Sequence, residues 1–317
     1  MAATAHIAEP VRKRVDIKRV LVATDFSSTS QRAFAYAVAV AQQYDAELVL
    51  VHAIPPEPWE TASLGPLPHD LDLNRLEAER AMEQIAEEAH LTRFRHRIER
   101  GSVGNALRSV TQHEVADLLV LGTHGRGGLK KLALGSVAEE VLRLASCPVL
   151  TVGPKAILPS ADSVQFKTVL FATDFGSACA KAFRYALSFA ENCKAQLILL
   201  HIADPIRTIN VGLEPLDLGG YLQNELAGSQ AEMREQSARK LWKLIPSDAR
   251  LAVVPKYMVE TGFQAEGILN ASATYKADLI VMGANEVRSP RFASHIPWAV
   301  THQVLCEARC PVLTLRN

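Results

Sequence analysis

The feature that most constrains this chain is an internal repeat. "VLVATDFSSTSQRAFAYAVAVAQQYDAELVLVHAI" begins at Val20, "VLFATDFGSACAKAFRYALSFAENCKAQLILLHIA" begins at Val169, and the two align without a gap. Later landmarks recur in the same order: "ADLLVLG" (116–122) with "ADLIVMG" (277–283), and "CPVLTV" (147–152) with "CPVLTL" (310–315). One domain is therefore present twice, which 317 residues accommodate at roughly 150 residues per domain. The expected division is an N-terminal tail (1–16), a first copy (17–153), a linker (154–165) and a second copy (166–317). The glycine, prolines and polar residues between 153 and 166 suit a short connection.

Each copy alternates strand and helix. In the first, the apolar run Arg19–Ala23 reads as a buried strand. Ser28–Tyr44 carries Ala33, Phe34, Ala37, Val40 and Ala41 at helical spacing, with Ser27, Ser28 or Thr29 as the N-cap. Leu48–Ala53, Phe94–Glu99, Asp117–Leu121 and Pro148–Val152 read as further strands, and Leu73–His90, Asn105–His113 and Ser136–Ala145 as helices. Five strands separated by helices predict an α/β fold, a parallel sheet with helices on both faces. The third strand, "RFRHRIER", puts Arg93, Arg95 and Arg97 on one face. That is either a nucleic-acid patch or an edge strand charged against pairing with other chains. The fifth strands carry no charge, which predicts strand-to-strand pairing.

Bulk composition excludes several classes. With 34 basic and 34 acidic side chains the net charge is zero, which argues against a nucleic acid as main ligand. The charged N-terminus has no apolar stretch of signal-peptide length, and no run approaches the ~18–20 apolar residues of a membrane span. The chain is accordingly read as cytoplasmic. Cys147, Cys179, Cys193, Cys306 and Cys310 form no CxxC pair and read as small buried side chains rather than a disulfide framework. His52 and His201 recur at equivalent strand ends. Neither has a neighbouring ligand at metal spacing, so both read as structural.

In an open parallel sheet a ligand sits beyond the carboxyl ends of the strands, where strand order reverses. Two segments of the first copy have suitable chemistry. One is "ATDFSS" (23–28), whose Asp25 accepts hydrogen bonds from ribose hydroxyls or an adenine amino group, or else caps the following turn or helix. The other is "GTHGRGGLKKLALGS" (122–136). Gly122 and Gly125 permit close backbone approach, successive N–H groups form an anion nest, and Gly135 with Ser136 opens a helix whose first N–H groups favour phosphate. Ser136 either caps that helix or meets phosphate. Lys130 and Lys131 lie in the intervening loop, either screening phosphate or simply solvated. The stretch is neither a P-loop nor a dinucleotide fingerprint, the latter following a fold's first strand and not its fourth.

The spacing Gly122-x2-Gly125-x9-Gly135-Ser136, between "DLLVLG" and "VAEEVLRLASCPVLTV", resembles the nucleotide-binding motif of the universal stress protein family, and "VLVATDFS" and "LVLVHAI" resemble that family's first two strands. The whole chain is similar to a tandem member. The resemblance implies two Rossmann-like domains of the adenine nucleotide alpha hydrolase-like kind, each a five-stranded parallel sheet in order 3-2-1-4-5. It implies ATP binding, as in many members though not all, with ATP either alone or as its Mg²⁺ complex. By resemblance, Ala23, Thr24 and Asp25 form the strand end at the adenosine, and Ala53 meets the adenine through its backbone. Leu121 flanks the nucleoside, and Gly122, Gly125, Gly135, Ser136 and Val137 wrap the phosphates. Thr123, His124 and Arg126 lie within reach. Ala23 stands where ATP-binding relatives often have proline.

The second copy departs from this pattern. Gly283 remains, but Glu286 replaces the second glycine, and Trp298 and Ala299 fall where Gly135 and Ser136 lie. The second copy is therefore expected not to bind ATP in the same way, and to complete an intramolecular pseudo-dimer; a homodimer of chains is left open. The inserts 55–73 and 204–228 read as surface connections or as covers for a ligand or partner. Three function classes remain: a nucleotide-binding regulatory protein of the stress response, a weak ATPase or autokinase, and a nucleotide-independent scaffold. The first is preferred. No glycine-rich phosphate loop follows the first strand and no carboxylate cluster for Mg²⁺ accompanies the motif.

Overall fold

The computed structural model describes residues 15–55, 68–91, 93–123, 134–157, 165–203, 221–284 and 296–316. The chain forms two compact units. One takes in 16–165 together with 305–316, the other 166–304 with Val15.

The first unit contains β1 (Arg19–Thr24), α1 (Ser28–Tyr44), β2 (Glu47–Ile54), α2 (Pro68–Glu88), β3 (Phe94–Arg100), α3 (Val103–His113), β4 (Leu118–Gly122), α4 (Ser136–Leu144) and β5 (Val149–Val152). The strands run parallel in order β3-β2-β1-β4-β5. Val20, Leu21, Val22, Leu48, Val49, Leu50, Leu118 and Leu119 are buried, as strands covered on both faces require. Ser27 is the N-cap of α1, its hydroxyl accepting from the Ser30 N–H at 3.2 Å.

The second unit repeats the pattern with β6 (Thr168–Ala172), α5 (Cys179–Asn192), β7 (Gln196–Ala203), α6 (Tyr221–Leu244), β8 (Lys256–Thr261), α7 (Gln264–Thr274) and β9 (Leu279–Gly283), its strands parallel in order β8-β7-β6-β9. α5 starts two residues later than α1 on the repeat alignment. Gly176 stands where Ser27 caps, and the N-cap Ala178 makes no side-chain bond. The chain closes with α8 (Ile296–Glu307) and β10 (Val312–Leu315). β10 runs antiparallel beside β5, with Thr151 Oγ1 donating to Val312 O at 3.1 Å and Thr314 Oγ1 to Val149 O at 3.3 Å. All five cysteines carry free thiols. Burial pushes Cys193 up to about 11 and raises Cys179, which favours the protonated thiol in both. Among the described residues no helix is long and apolar enough to cross a membrane.

β3 is an edge strand, as its charge suggested, and its arginines are paired. Arg95 binds the carboxylates of Glu47 and Glu114, Arg97 Nε donates to Glu114 Oε1 at 2.8 Å, and Arg93 Nη1 to Asp45 Oδ1 at 2.8 Å. Arg19 adds a bond to Glu47 at 3.0 Å and another to the Glu114 carbonyl. The Arg95 hydrogen bond holds the Glu47 carboxyl below its usual range. Burial pushes Glu114 upward, but Arg97 and Arg95 outweigh it and leave its carboxyl lowered too. These charges are paired with carboxylates within the fold. Glu114→Gln is expected to destabilise the protein by about 2 kcal/mol in urea denaturation, because two guanidinium groups lose a charged acceptor. Since the folded carboxyl titrates below the ordinary value of 4.5, this stability is present above that pH and lost as pH falls through the folded value.

Candidate functional site

At the end of β1 the chain turns sharply. Phe26 has φ 62°, and its repeat partner Phe175 has φ 59°. A bulky residue in the left-handed region is a strained outlier. Local bonds hold it in both copies. The Phe26 N–H donates to Thr24 Oγ1 at 3.0 Å and the Ser27 N–H to Asp25 Oδ1 at 3.0 Å. The matching distances in the second copy are 2.9 Å (Phe175 to Thr173) and 2.7 Å (Gly176 to Asp174). Both are side-chain-to-backbone turns that threonine and aspartate favour. Asp25 thus fills the local turn role that its sequence left open beside ligand contact.

His52 and His201 belong to the same arrangement. Their Nδ1 atoms lie 2.8 Å from the carbonyls of Thr24 and Thr173. A carbonyl only accepts, so Nδ1 carries the hydrogen. Each imidazole also lies by the strained phenylalanine, at 4.7 Å for Phe26 and 4.5 Å for Phe175, both tilted by 40°. Nothing in the sequence marked Phe26 as part of the site. The recurring His at the strand end was visible, but its partner was not.

β1 lies between β2 and β4, so the strand ends expected to flank the ligand are neighbours. Thr24 is in register with His52, one residue before Ala53, and Val22 is in register with Val120. Continuing that register sets Ala23 level with Leu121 and Thr24 level with Gly122. Ala53, Leu121, Thr24 and Thr123 are buried, while Ala23 and Asp25 are half-buried. Thr123 is 1% exposed; its N–H donates to Val152 O and its carbonyl accepts from the Gly135 N–H at 2.8 Å, which ties the start of α4 to the end of β4. Gly135 is the N-cap of α4 and no side chain caps that helix. Ser136 is therefore the first helical residue rather than the cap. It is exposed, and Val137 is half-buried. His124, Gly125 and Arg126 lie outside the described residues, as do Gly127, Gly128, Lys130 and Lys131.

Gly122 has a packing role that the sequence did not disclose. A Cβ there would lie 2.9 Å from Thr29 Cγ2 and 3.3 Å from the Thr29 backbone, so α1 begins directly against β4. Gly283 meets the same constraint, with Ala178 Cβ at 2.8 Å. This explains why the second copy keeps that glycine while losing the others. Glu286 lies outside the described residues. Trp298 and Ala299, which align with Gly135 and Ser136, fall inside α8 instead of at its opening. An N–H at residue 299 sits within the helix rather than among the first free donors. A further exchange marks the second copy: Ile202 replaces Ala53, and its Cδ1 lies 2.7 Å from where a Cβ of Gly267 would be, a glycine that aligns with Ala106.

Two predictions follow from this geometry. Gly122→Ala and Gly283→Ala each cost about 1–3 kcal/mol of stability by overpacking, measurable by chemical denaturation. Burial, with Lys240 adding to it, lowers the His201 pKa from its ordinary 6.5. Unfolded chains then take up the proton first as pH falls, so stability present above about pH 6.5 declines below it. Wild type should lose more thermal stability than His201→Asn between about pH 7.5 and about pH 5.

The pattern of the universal stress protein family matches residues 16–153 and again 165–316. A universal stress protein of Methanocaldococcus jannaschii is 31% identical over 147 residues, 43% of this chain and 81% of that protein. One from Thermus aquaticus is 38% identical over 138 residues, 43% of this chain and 98% of its own length. A solved universal stress protein from Archaeoglobus fulgidus covers 94% of this chain and 96% of its own at 18% identity and TM-score 0.64, a likeness of fold. With the family's pattern matched in two tandem stretches that span nearly its whole length, the chain belongs to the universal stress protein family.

Proposed function

We propose that the first copy binds ATP, or a closely related adenine nucleotide, at the carboxyl ends of β1, β2 and β4, and that the protein acts as a nucleotide-responsive regulator in the stress response. The resemblance of the glycine–serine motif to that of the family implies ATP binding, as in many members though not all. The observation that carries the reading is the start of α4. Its N-cap is a glycine that makes no side-chain cap bond, and the exposed Ser136 is its first helical residue. Such a helix start favours a phosphate through its N–H groups and dipole. Gly122 to Thr123 leads from β4 toward it, and Asp25 stands at the end of the adjacent strand.

The chain's own groups divide the work. Asp25 supplies a carboxylate for hydroxyl or amino donors, and the backbone at Ala53 supplies polar groups for a base edge. Gly135, Ser136 and Val137, with Gly125 from the loop, supply donors for phosphate, and Leu121 gives an apolar flank. The second copy acts as a structural half. The loss of a helix opening at Trp298–Ala299 supports one nucleotide per chain.

Ser136→Asp tests the reading without disturbing the fold. A carboxylate in the first turn of a helix is neutral or favourable for stability, but it repels phosphate. Titration calorimetry should show ATP binding by wild type and at least about tenfold weaker binding by Ser136→Asp at unchanged melting temperature. Equal affinity in the two, or no nucleotide binding by wild type, would remove the proposal.

A further inference from the structure

The strained turn after β1 occurs twice, on sequences that differ around it. φ, the two side-chain-to-backbone bonds, the Nδ1-to-carbonyl distance and the ring tilt agree between Phe26 and Phe175. Yet Ser27, Thr29, Ser30 and Ala53 have become Gly176, Ala178, Cys179 and Ile202. Thr, Asp, Phe and His survive, together with Ala23 before them and Ser28 after the turn. The histidine is the one member that comes from another strand. It faces Thr24 directly in the β1–β2 register.

A left-handed conformation is costly for phenylalanine and persists only where surroundings over-determine it. The imidazole supplies two of the required constraints. Its Nδ1–H donates to the carbonyl of the last β1 residue as the chain leaves the sheet, and its ring provides a surface for the phenylalanine. Without that ring the turn loses one backbone hydrogen bond and one packing surface, which favours relaxation out of the left-handed region. Asp25 lies between the two held residues, so the direction of its carboxylate depends on both.

We infer that His52 is a positioning residue of the first-copy site: it latches the Thr24–Phe26 turn and thereby aims Asp25 at the ligand. The inference rests on the nucleotide reading above for what Asp25 meets, and stands on the turn geometry for the latch itself. The latch serves the nucleoside end and not the phosphate end. Its retention in the second copy, where α8 opens at Ile296, before the positions aligned with Gly135 and Ser136, agrees with that division.

The test uses the full chain with three latch variants and one phosphate-end variant. His52→Leu removes the donor, His52→Asn restores a donor near the Nδ1 position, and His201→Leu breaks the second-copy latch. Ser136→Ala trims the phosphate end. ATP and adenosine binding are measured by titration, and amide exchange is followed at Phe26 and Phe175. The expected result is that His52→Leu weakens ATP and adenosine by the same factor, about tenfold, and quickens exchange at Phe26 alone. His52→Asn restores both readouts. His201→Leu quickens exchange at Phe175 and leaves ATP affinity intact, and Ser136→Ala weakens ATP but not adenosine. Wild-type affinity and unchanged Phe26 exchange in His52→Leu overturn the latch. Equal loss of ATP affinity in His201→Leu also overturns it, because the effect would then be general destabilisation. If wild type binds neither ligand, the nucleotide reading fails by itself, and Phe26 exchange in His52→Leu still decides the latch.

Discussion

Between the start of α1 and the end of β4 there is no room for one methyl group. Gly122 meets the side chain and backbone of Thr29, and Gly283 meets Ala178 in the same way. That approach brings the turn after β1 beside the segment leading from β4, and the other site features depend on it. Thr123 then passes the constraint on, buried and bonded to both Val152 and Gly135, so that α4 starts close to the end of β4. A glycine that reads as room for a ligand is first of all room for a helix.

The two copies separate what the sheet needs from what a phosphate needs. The glycine at the end of the fourth strand, the strained phenylalanine and the histidine on the neighbouring strand occur in both units. They shape the strand ends. The helix opening at Gly135 occurs once, since α8 already runs through the aligned positions. Size changes accompany this divergence. Ile202 fills space that Ala53 leaves, and Gly267 yields where Ala106 does not have to. One fold thus carries a complete and a reduced version of the same strand end.

Charge is handled locally on the outer strand of the first unit. β3 exposes guanidinium groups, but Glu47, Glu114 and Asp45 take up their bonds. Glu114 is the focus, 6% exposed and shared by Arg95 and Arg97. A half-buried network of this kind contributes more than isolated surface pairs, because both partners are partly out of water. It fixes the edge strand against the end of α3.

The sequence by itself determined the duplication, the α/β alternation and the strand boundaries to within a residue or two, because buried parallel strands are written as short apolar runs and helices as a 3.6-residue rhythm; the strand order came from the family resemblance. It also identified the glycine–serine segment before α4, whose spacing is a local property of the chain. Only the tertiary structure decided the roles of residues whose partners are distant in sequence. Arg95 and Arg97 find Glu114, His52 finds the Thr24 carbonyl, and Gly122 finds Thr29. None of these contacts has a periodic signature, since each arises where two elements meet. The left-handed Phe26 was equally hidden: its side chain gives no hint of positive φ, and the conformation is imposed by the neighbouring strand, the turn bonds and the ring beside it.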